Sequence, residues 1–202
     1  MYTNDEIREK YNRIANAYDF IQSVVEFGAR KKRRELLRHA YSDVLEVGVG
    51  TGRTLSYYPP NCKITAIDYN SSMLETAREK ASKLGKKASF ILMDAGKLGF
   101  PDHSFDIVVD TLCMCTYPNP INVLKEMKRV CKSNGRILLL EHGRSSNRYL
   151  EWLQKKLASR QYEMLGCNAF RDHIDLVKKA GLNIGSLNRS GFGIYYSIVA
   201  KP

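Results

Sequence analysis

The chain alternates between stretches whose apolar residues recur every three or four positions and short runs that are apolar almost throughout. This is the pattern of helices packed on a parallel sheet whose strands are buried on both faces. Across residues 4–39, Tyr11, Ala15 and Tyr18, then Ile21, Val24 and Val25, recur at helical spacing and predict helices. Apolar runs centred on 44–47, 64–67, 88–93, 107–109 and 137–140 predict five strands. Between them, Ser71 or Ser72 is placed to cap a helix that Gly85 ends, and Pro120 to open one whose buried side is Val123, Leu124, Met127 and Val130. Such βαβ alternation predicts a parallel sheet. Residues 144–165 read as a basic amphipathic helix or helix pair, with the apolar side expected on the sheet. The tail, 182–202, predicts two strands separated around Ser190-Gly191-Phe192-Gly193. Without repeats, low-complexity tracts or a linker, 1–202 is expected to be one domain.

The first apolar run ends in Asp43-Val44-Leu45-Glu46-Val47-Gly48-Val49-Gly50-Thr51-Gly52. Glycines there permit positive φ and let a sugar or phosphate lie against bare backbone. Residues 53–58 are expected to be helical, with N-terminal N–H groups aimed at such a ligand. A dinucleotide fingerprint needs a small residue three positions after the second glycine, where this chain has Arg53, so a nicotinamide or flavin dinucleotide is disfavoured. Acids recur at strand ends: Glu46, then Asp68 and Asp94. A carboxylate at Asp68 can accept hydrogen bonds from both hydroxyls of a ribose. Asp94 could equally be a plain helix N-cap, and Met73 either an apolar wall or ordinary helix core.

Glu46-x-Gly48-x-Gly50-x-Gly52 resembles motif I of the class I S-adenosylmethionine (SAM) methyltransferases. The resemblance runs from Tyr11 to the terminus. Tyr11-x-x-x-Ala15-x-x-Tyr18-Asp19 is similar to the lid of quinone-biosynthesis methyltransferases. Gly166-Cys167-Asn168 with Arg171-Asp172, and Glu141-His142-Gly143-Arg144-Ser145, resemble membrane-associated thiol methyltransferases and fungal mitochondrial methyltransferase-like proteins, in a branch that also holds bacterial phosphatidylethanolamine N-methyltransferases. The resemblance implies a Rossmann-like α/β fold: a mostly parallel seven-stranded sheet, an antiparallel C-terminal edge hairpin and helices on both faces. It divides the chain into a helical lid (1–40), a SAM-binding core (41–141) and substrate-side helices with closing strands (142–202). SAM is the implied cofactor and S-adenosylhomocysteine the product. Tyr11, Glu46, Gly48, Gly50, Gly52, Asp68, Tyr69, Met73, Asp94, Ala95 and Thr111 are the implied cofactor residues, with Glu46 under the methionine half and Asp94 and Ala95 at the adenine. Cys113 and Tyr117 fall on the substrate side. His142 is the candidate proton acceptor, since an unperturbed imidazole titrates near neutrality, and Tyr18 a candidate cation–π partner of the sulfonium. Either residue could instead be structural.

Thirty-two Lys and Arg against twenty-one Asp and Glu give a formal charge of +11, which favours anionic surroundings without choosing among them. Helix 148–160 is a candidate for peripheral contact with an anionic membrane, and a small lipophilic or lipid-headgroup acceptor is the expected substrate. An RNA substrate and a non-catalytic SAM-binding scaffold are the alternatives. No Asn-Pro-Pro-Tyr sequence follows strand four, which disfavours a flipped base. The basic run Arg30-Lys31-Lys32-Arg33-Arg34 is expected to be a solvated face. Five cysteines with no Cys-x-x-Cys pair indicate a reducing compartment, cytoplasmic or mitochondrial. Cys113-x-Cys115 has no His/Cys pair near it in sequence, so buried thiols and no metal are expected. No run is apolar for the length a bilayer span needs, and no targeting segment is visible.

Overall fold

The computed structural model describes residues 2–202, the side chains of residues 11–27 excepted. Helix α1 (Asn4–Leu37) opens on a capping box in which Thr3 and Glu6 satisfy each other's backbone N–H groups. There follow β1 (Ser42–Val47), β2 (Cys62–Asp68), α2 (Ser71–Lys83), β3 (Ala88–Leu92), β4 (Phe105–Thr111), α3 (Pro120–Val130), β5 (Cys131–His142), α4 (Arg148–Leu165), α5 (His173–Lys179), β6 (Asn183–Ser190) and β7 (Tyr195–Lys201). The seven strands form one sheet in the order β3-β2-β1-β4-β5-β7-β6. The first five are parallel, and β7 runs antiparallel to both β5 and β6, so the expected edge hairpin is present.

The pleat sorts the core into two layers. Leu45, Val47, Val108 and Leu139 face α3 and α5, meeting Leu124, Met127 and Val177. Val44, Ile107, Val109 and Leu138 face the other way, towards Leu37 of α1 and Leu74 and Ala77 of α2. Each fully buried Leu or Ile contributes about 1.5–3 kcal/mol, so a sheet covered on both faces tolerates the near-continuous apolar strands seen in the sequence. The order of the strands reverses at β1: β2 and β3 lie on one side of it, β4 and β5 on the other. A crevice opens at the carboxyl ends of strands at such a switch point. The register of β1, with Val47 opposite both Ile67 and Asp110, brings Gly48, Asp68 and Thr111 to that edge together.

Several elements differ from expectation. Residues 53–58 are not a helix, and only the three residues Leu55–Tyr57 wind into a 3-10 turn. Thr54 turns its hydroxyl to Glu46, and Pro59-Pro60 stops propagation immediately. Asn70 rather than a serine caps α2, accepting from the N–H groups of Ser72 and Met73 at 3.0 and 3.4 Å. The largest difference is α4. None of its residues is buried, and Tyr149, Leu153, Leu157 and Met164 face outward. The inward side is held by polar contacts instead. Gln154 accepts from Ser145 N–H at 2.8 Å and donates to the Gly143 carbonyl at 3.1 Å. The loop's unpaired backbone groups thus take the position an apolar side chain was expected to fill.

Candidate active site

Three glycines at alternate positions do three different jobs. Gly48 has φ +69°, and a Cβ there would lie 2.7 Å from Tyr117 Oη and 2.8 Å from Cys113 Sγ. Gly50, at φ +53°, has no atom of the described residues within 4 Å of a Cβ position. Gly52 backs onto the protein, where a Cβ would meet Leu55 at 2.7 Å and Ala77 at 3.2 Å. Thus Gly48 and Gly50 border the crevice, and Gly52 lets the turn pack on α2.

The crevice is an open cleft with about 120 Å³ of enclosed space. Gly48, Gly50, Asp68, Tyr69, Asn70 and Met73 form one wall, and Met93, Asp94 and Ala95 continue it. Leu112, Cys113, Thr116 and Tyr117 face them, while Asn4, Ile7 and Arg8 close the top. Asp68 is fixed by two backbone donors: Gly50 N–H at 2.8 Å on Oδ2 and Asn70 N–H at 2.9 Å on Oδ1. Burial nonetheless pushes its pKa up. Asp94 accepts from Gly96 N–H at 2.7 Å and from Asn4 Nδ2 at 3.0 Å. No helix follows it, so it is not an N-cap; it ties the start of α1 to the cleft. Tyr69 Oη donates to Asp5 Oδ1 at 3.2 Å, and Arg8, 3.0 Å from the same carboxylate oxygen, lies over the Tyr69 ring at 5.5 Å. The first turns of α1 therefore roof the cleft. Tyr11 and Tyr18 lie outside the described side chains.

Four expected site residues stand off the cleft wall. Gly52 is one. Glu46 points to the α1 face of the sheet, because its neighbours Leu45 and Val47 occupy the other. Thr54 Oγ1 donates to it, and burial raises its pKa to about 7 against this bond and the nearby Arg33 charge. Arg33 itself is only 3% exposed and donates to Thr111 Oγ1 at 3.4 Å. The basic run is thus not a uniform solvated face, and Thr111 holds Arg33 rather than the wall. His142 turns its ring to sulfur, with Nε2 3.5 Å from Cys167 Sγ and Cys115 also in hydrogen-bonding contact.

One group was not legible beforehand. Tyr117 Oη donates to Asp110 Oδ2 at 2.8 Å, and Asp110 in turn meets Glu141. Both carboxyls are fully buried. Burial raises both pKa values, and the charge of Asp110 raises that of Glu141 further. The signal, acids at equivalent places near the ends of β4 and β5, was in the sequence, but their meeting depends on sheet order.

The cleft suits a nucleoside with a cationic tail. A carboxylate stands where a ribose diol needs acceptors, Met73 and Met93 supply flat apolar contact, and bare backbone at Gly50 leaves room for the ligand to lie close. Fold and site together define a SAM-dependent methyltransferase. The chain belongs to the class I SAM-dependent methyltransferases: a family model described as a methyltransferase domain matches residues 45–139, and a phosphatidylethanolamine N-methyltransferase of Cereibacter sphaeroides is 36% identical over 156 residues, 76% of each chain. The mitochondrial methyltransferase OMS1 of Saccharomyces cerevisiae is 29% identical over 98% of this chain, which spans 46% of that protein's length. Among solved structures, a SAM-dependent methyltransferase of Thermotoga maritima superposes with a TM-score of 0.73 at 22% identity, covering 96% of this chain and 99% of that one, a likeness of fold.

Proposed function

We propose that the protein methylates a lipophilic acceptor carrying an amine, thiol or quinone-like nucleophile, taken from the surface of an anionic membrane. The observation that carries this is the outward face of α4. Tyr149 and Trp152 are 85% and 58% exposed, Leu153, Leu157 and Met164 extend the stripe, and Lys155, Lys156 and Arg160 are interspersed. Lys156 Nζ lies 3.9 Å over the Trp152 ring. An apolar stripe flanked by cations seats in the headgroup boundary while its charges meet anionic lipid. No helix among the described residues is long and apolar enough to cross a membrane, so contact through α4 would be peripheral. The names of the relatives, one for a lipid headgroup amine and one for the mitochondrion, support this reading. All five cysteines are unpaired, which suits a reducing compartment such as the cytoplasm or mitochondrial matrix.

When bound, SAM supplies a methyl group already activated on a sulfonium, so alignment is the protein's main contribution. Asp68 and Asp94 hold the adenosyl half and the roof excludes water. Tyr117, above Gly48, orients the acceptor. As an amine or thiol reacts, its proton passes to the Tyr117 oxygen while the Tyr117 proton moves to the Asp110 carboxylate.

The test is transfer of labelled methyl from SAM in the presence of vesicles of phosphatidylethanolamine with phosphatidylglycerol, of vesicles doped with a long-chain thiol or a quinol, and of total RNA, with vesicle flotation in parallel. Label in one lipid class with flotation supports the proposal. Label in RNA, or transfer to water-soluble amines or thiols that vesicles do not accelerate, would sink it.

A further inference from the structure

We propose that Cys115, His142 and Cys167 form a zinc site. The three come from separate parts of the chain: the loop after β4, the last residue of β5 and the residue after the Gly166 that ends α4. Their ligand atoms all lie within 4.8 Å of one another. Cys167 Sγ is 3.5 Å from His142 Nε2, and Cys115 Sγ lies within 4.8 Å of both. Tetrahedral zinc, with Zn–S about 2.3 Å and Zn–N about 2.0 Å, sets sulfur and nitrogen ligands about 3.6 Å apart and two sulfurs about 3.8 Å apart. The Cys167–His142 spacing of 3.5 Å matches what an ion would impose, and Cys115 would close in on the ion from within 4.8 Å. Two thiolates and an imidazole suit zinc and repel the oxygen-seeking Mg²⁺ and Ca²⁺.

The surroundings hold the backbone of Cys115 and His142 and tie Asn168, next to Cys167, to Cys115. Asn168 N–H donates to the Cys115 carbonyl at 2.9 Å, His173 Nε2 bonds the His142 carbonyl at 3.0 Å, and the buried Arg171 guanidinium bonds the carbonyls of Met114 and Tyr117, the latter at 2.7 Å. Binding would release one proton from each thiol and leave the fourth position to water, giving a neutral dithiolate–imidazole site. An ion here would pin the end of α4 to the carboxyl edge of the sheet. It would also occupy His142, consistent with a proton route through Tyr117. The site is independent of which acceptor the enzyme uses.

The experiment is to isolate the full chain under reducing conditions, add zinc, remove the excess by dialysis and measure bound metal by mass spectrometry, with SAM binding on the same samples as the control for folding. About one zinc per chain is expected, retained by Cys131→Ser and lost by Cys115→Ser and Cys167→Ser. Cobalt(II) in place of zinc should give a thiolate charge-transfer band that the two serine variants lack. As a check on wild type alone, zinc should slow alkylation of Cys115 and Cys167, read by peptide mapping, and leave that of Cys62 unchanged. Zinc retained by both serine variants, wild-type protein without zinc, equal alkylation with and without the ion, or a Cys115–Cys167 disulfide in the isolated protein would each overturn the proposal.

Discussion

Asp68 and Asp94 are alike in sequence, each an acid after an apolar run, yet they carry different loads. Asp68 is set by amide donors from the glycine turn and its own loop, which leaves acceptor capacity facing the cleft. Asp68→Ala should weaken SAM binding about 10- to 100-fold by calorimetry, the scale of lost hydrogen bonds to a charged acceptor. Tyr117→Phe should leave SAM affinity unchanged and lower kcat about 100-fold or more, with the loss falling on acceptors that must shed a proton. Glu46 gives a pH effect whose sign follows from burial. Its pKa is raised from 4.5 to about 7 in the folded chain, so its contribution to stability is complete below 4.5 and is lost as pH rises through 7, about 3 kcal/mol in all. Urea unfolding at pH 5 and pH 8 should therefore differ less for Glu46→Gln than for wild type. At this scale the glycine turn and both strand-end acids could be read from sequence, because turn chemistry is local. The sides taken by Glu46 and His142 could not, since Thr54, Arg33, Cys115 and Cys167 reach them only through the fold.

Among elements, buried strands and amphipathic helices were legible because each is fixed by its own periodicity. The hairpin was legible too, from the glycines around Phe192. What failed was an inference about destination: α4 has the pattern of a packed helix, but its apolar stripe faces out because Gln154 is needed by the loop beneath. Period reports that a face exists, not what covers it. Replacing Trp152, Leu153 and Leu157 together with serine removes nothing from the core, so the change in unfolding free energy should stay within about 1 kcal/mol. The same variant should fail to float with phosphatidylglycerol vesicles that carry the wild type. Gly48→Ala is the contrasting case, since positive φ and the Tyr117 and Cys113 atoms both oppose a methyl there. It should destabilise the chain by at least about 1 kcal/mol and reduce SAM binding in the same titration.

For the molecule as a whole, a charge of +11 was readable from composition, but how it is spent was not, because Arg33 lies inside while its neighbours in the basic run stay outside or half-buried. Flotation driven by the remaining cations should weaken steeply between 50 and 500 mM salt, on the order of 1 kcal/mol per Lys or Arg released from the surface. The opening residues of the chain are held by two bodies at once. Asn4 and Asp5 are bonded to Asp94 and Tyr69 at the cleft, while Tyr2 stacks on Tyr162 of α4, ring centroids 5.0 Å apart, and its N–H donates to the Tyr162 hydroxyl at 2.8 Å. If α4 seats on lipid as proposed, occupying the cleft and that seating would order the same few residues, and whichever came first would have met that entropic cost for the second. Such linkage is reciprocal: the factor by which vesicles tighten SAM binding must equal the factor by which SAM tightens vesicle binding. The enzyme would then hold its cofactor most firmly where its acceptor is, and Tyr2→Ala should reduce both factors towards one while leaving each separate affinity in place.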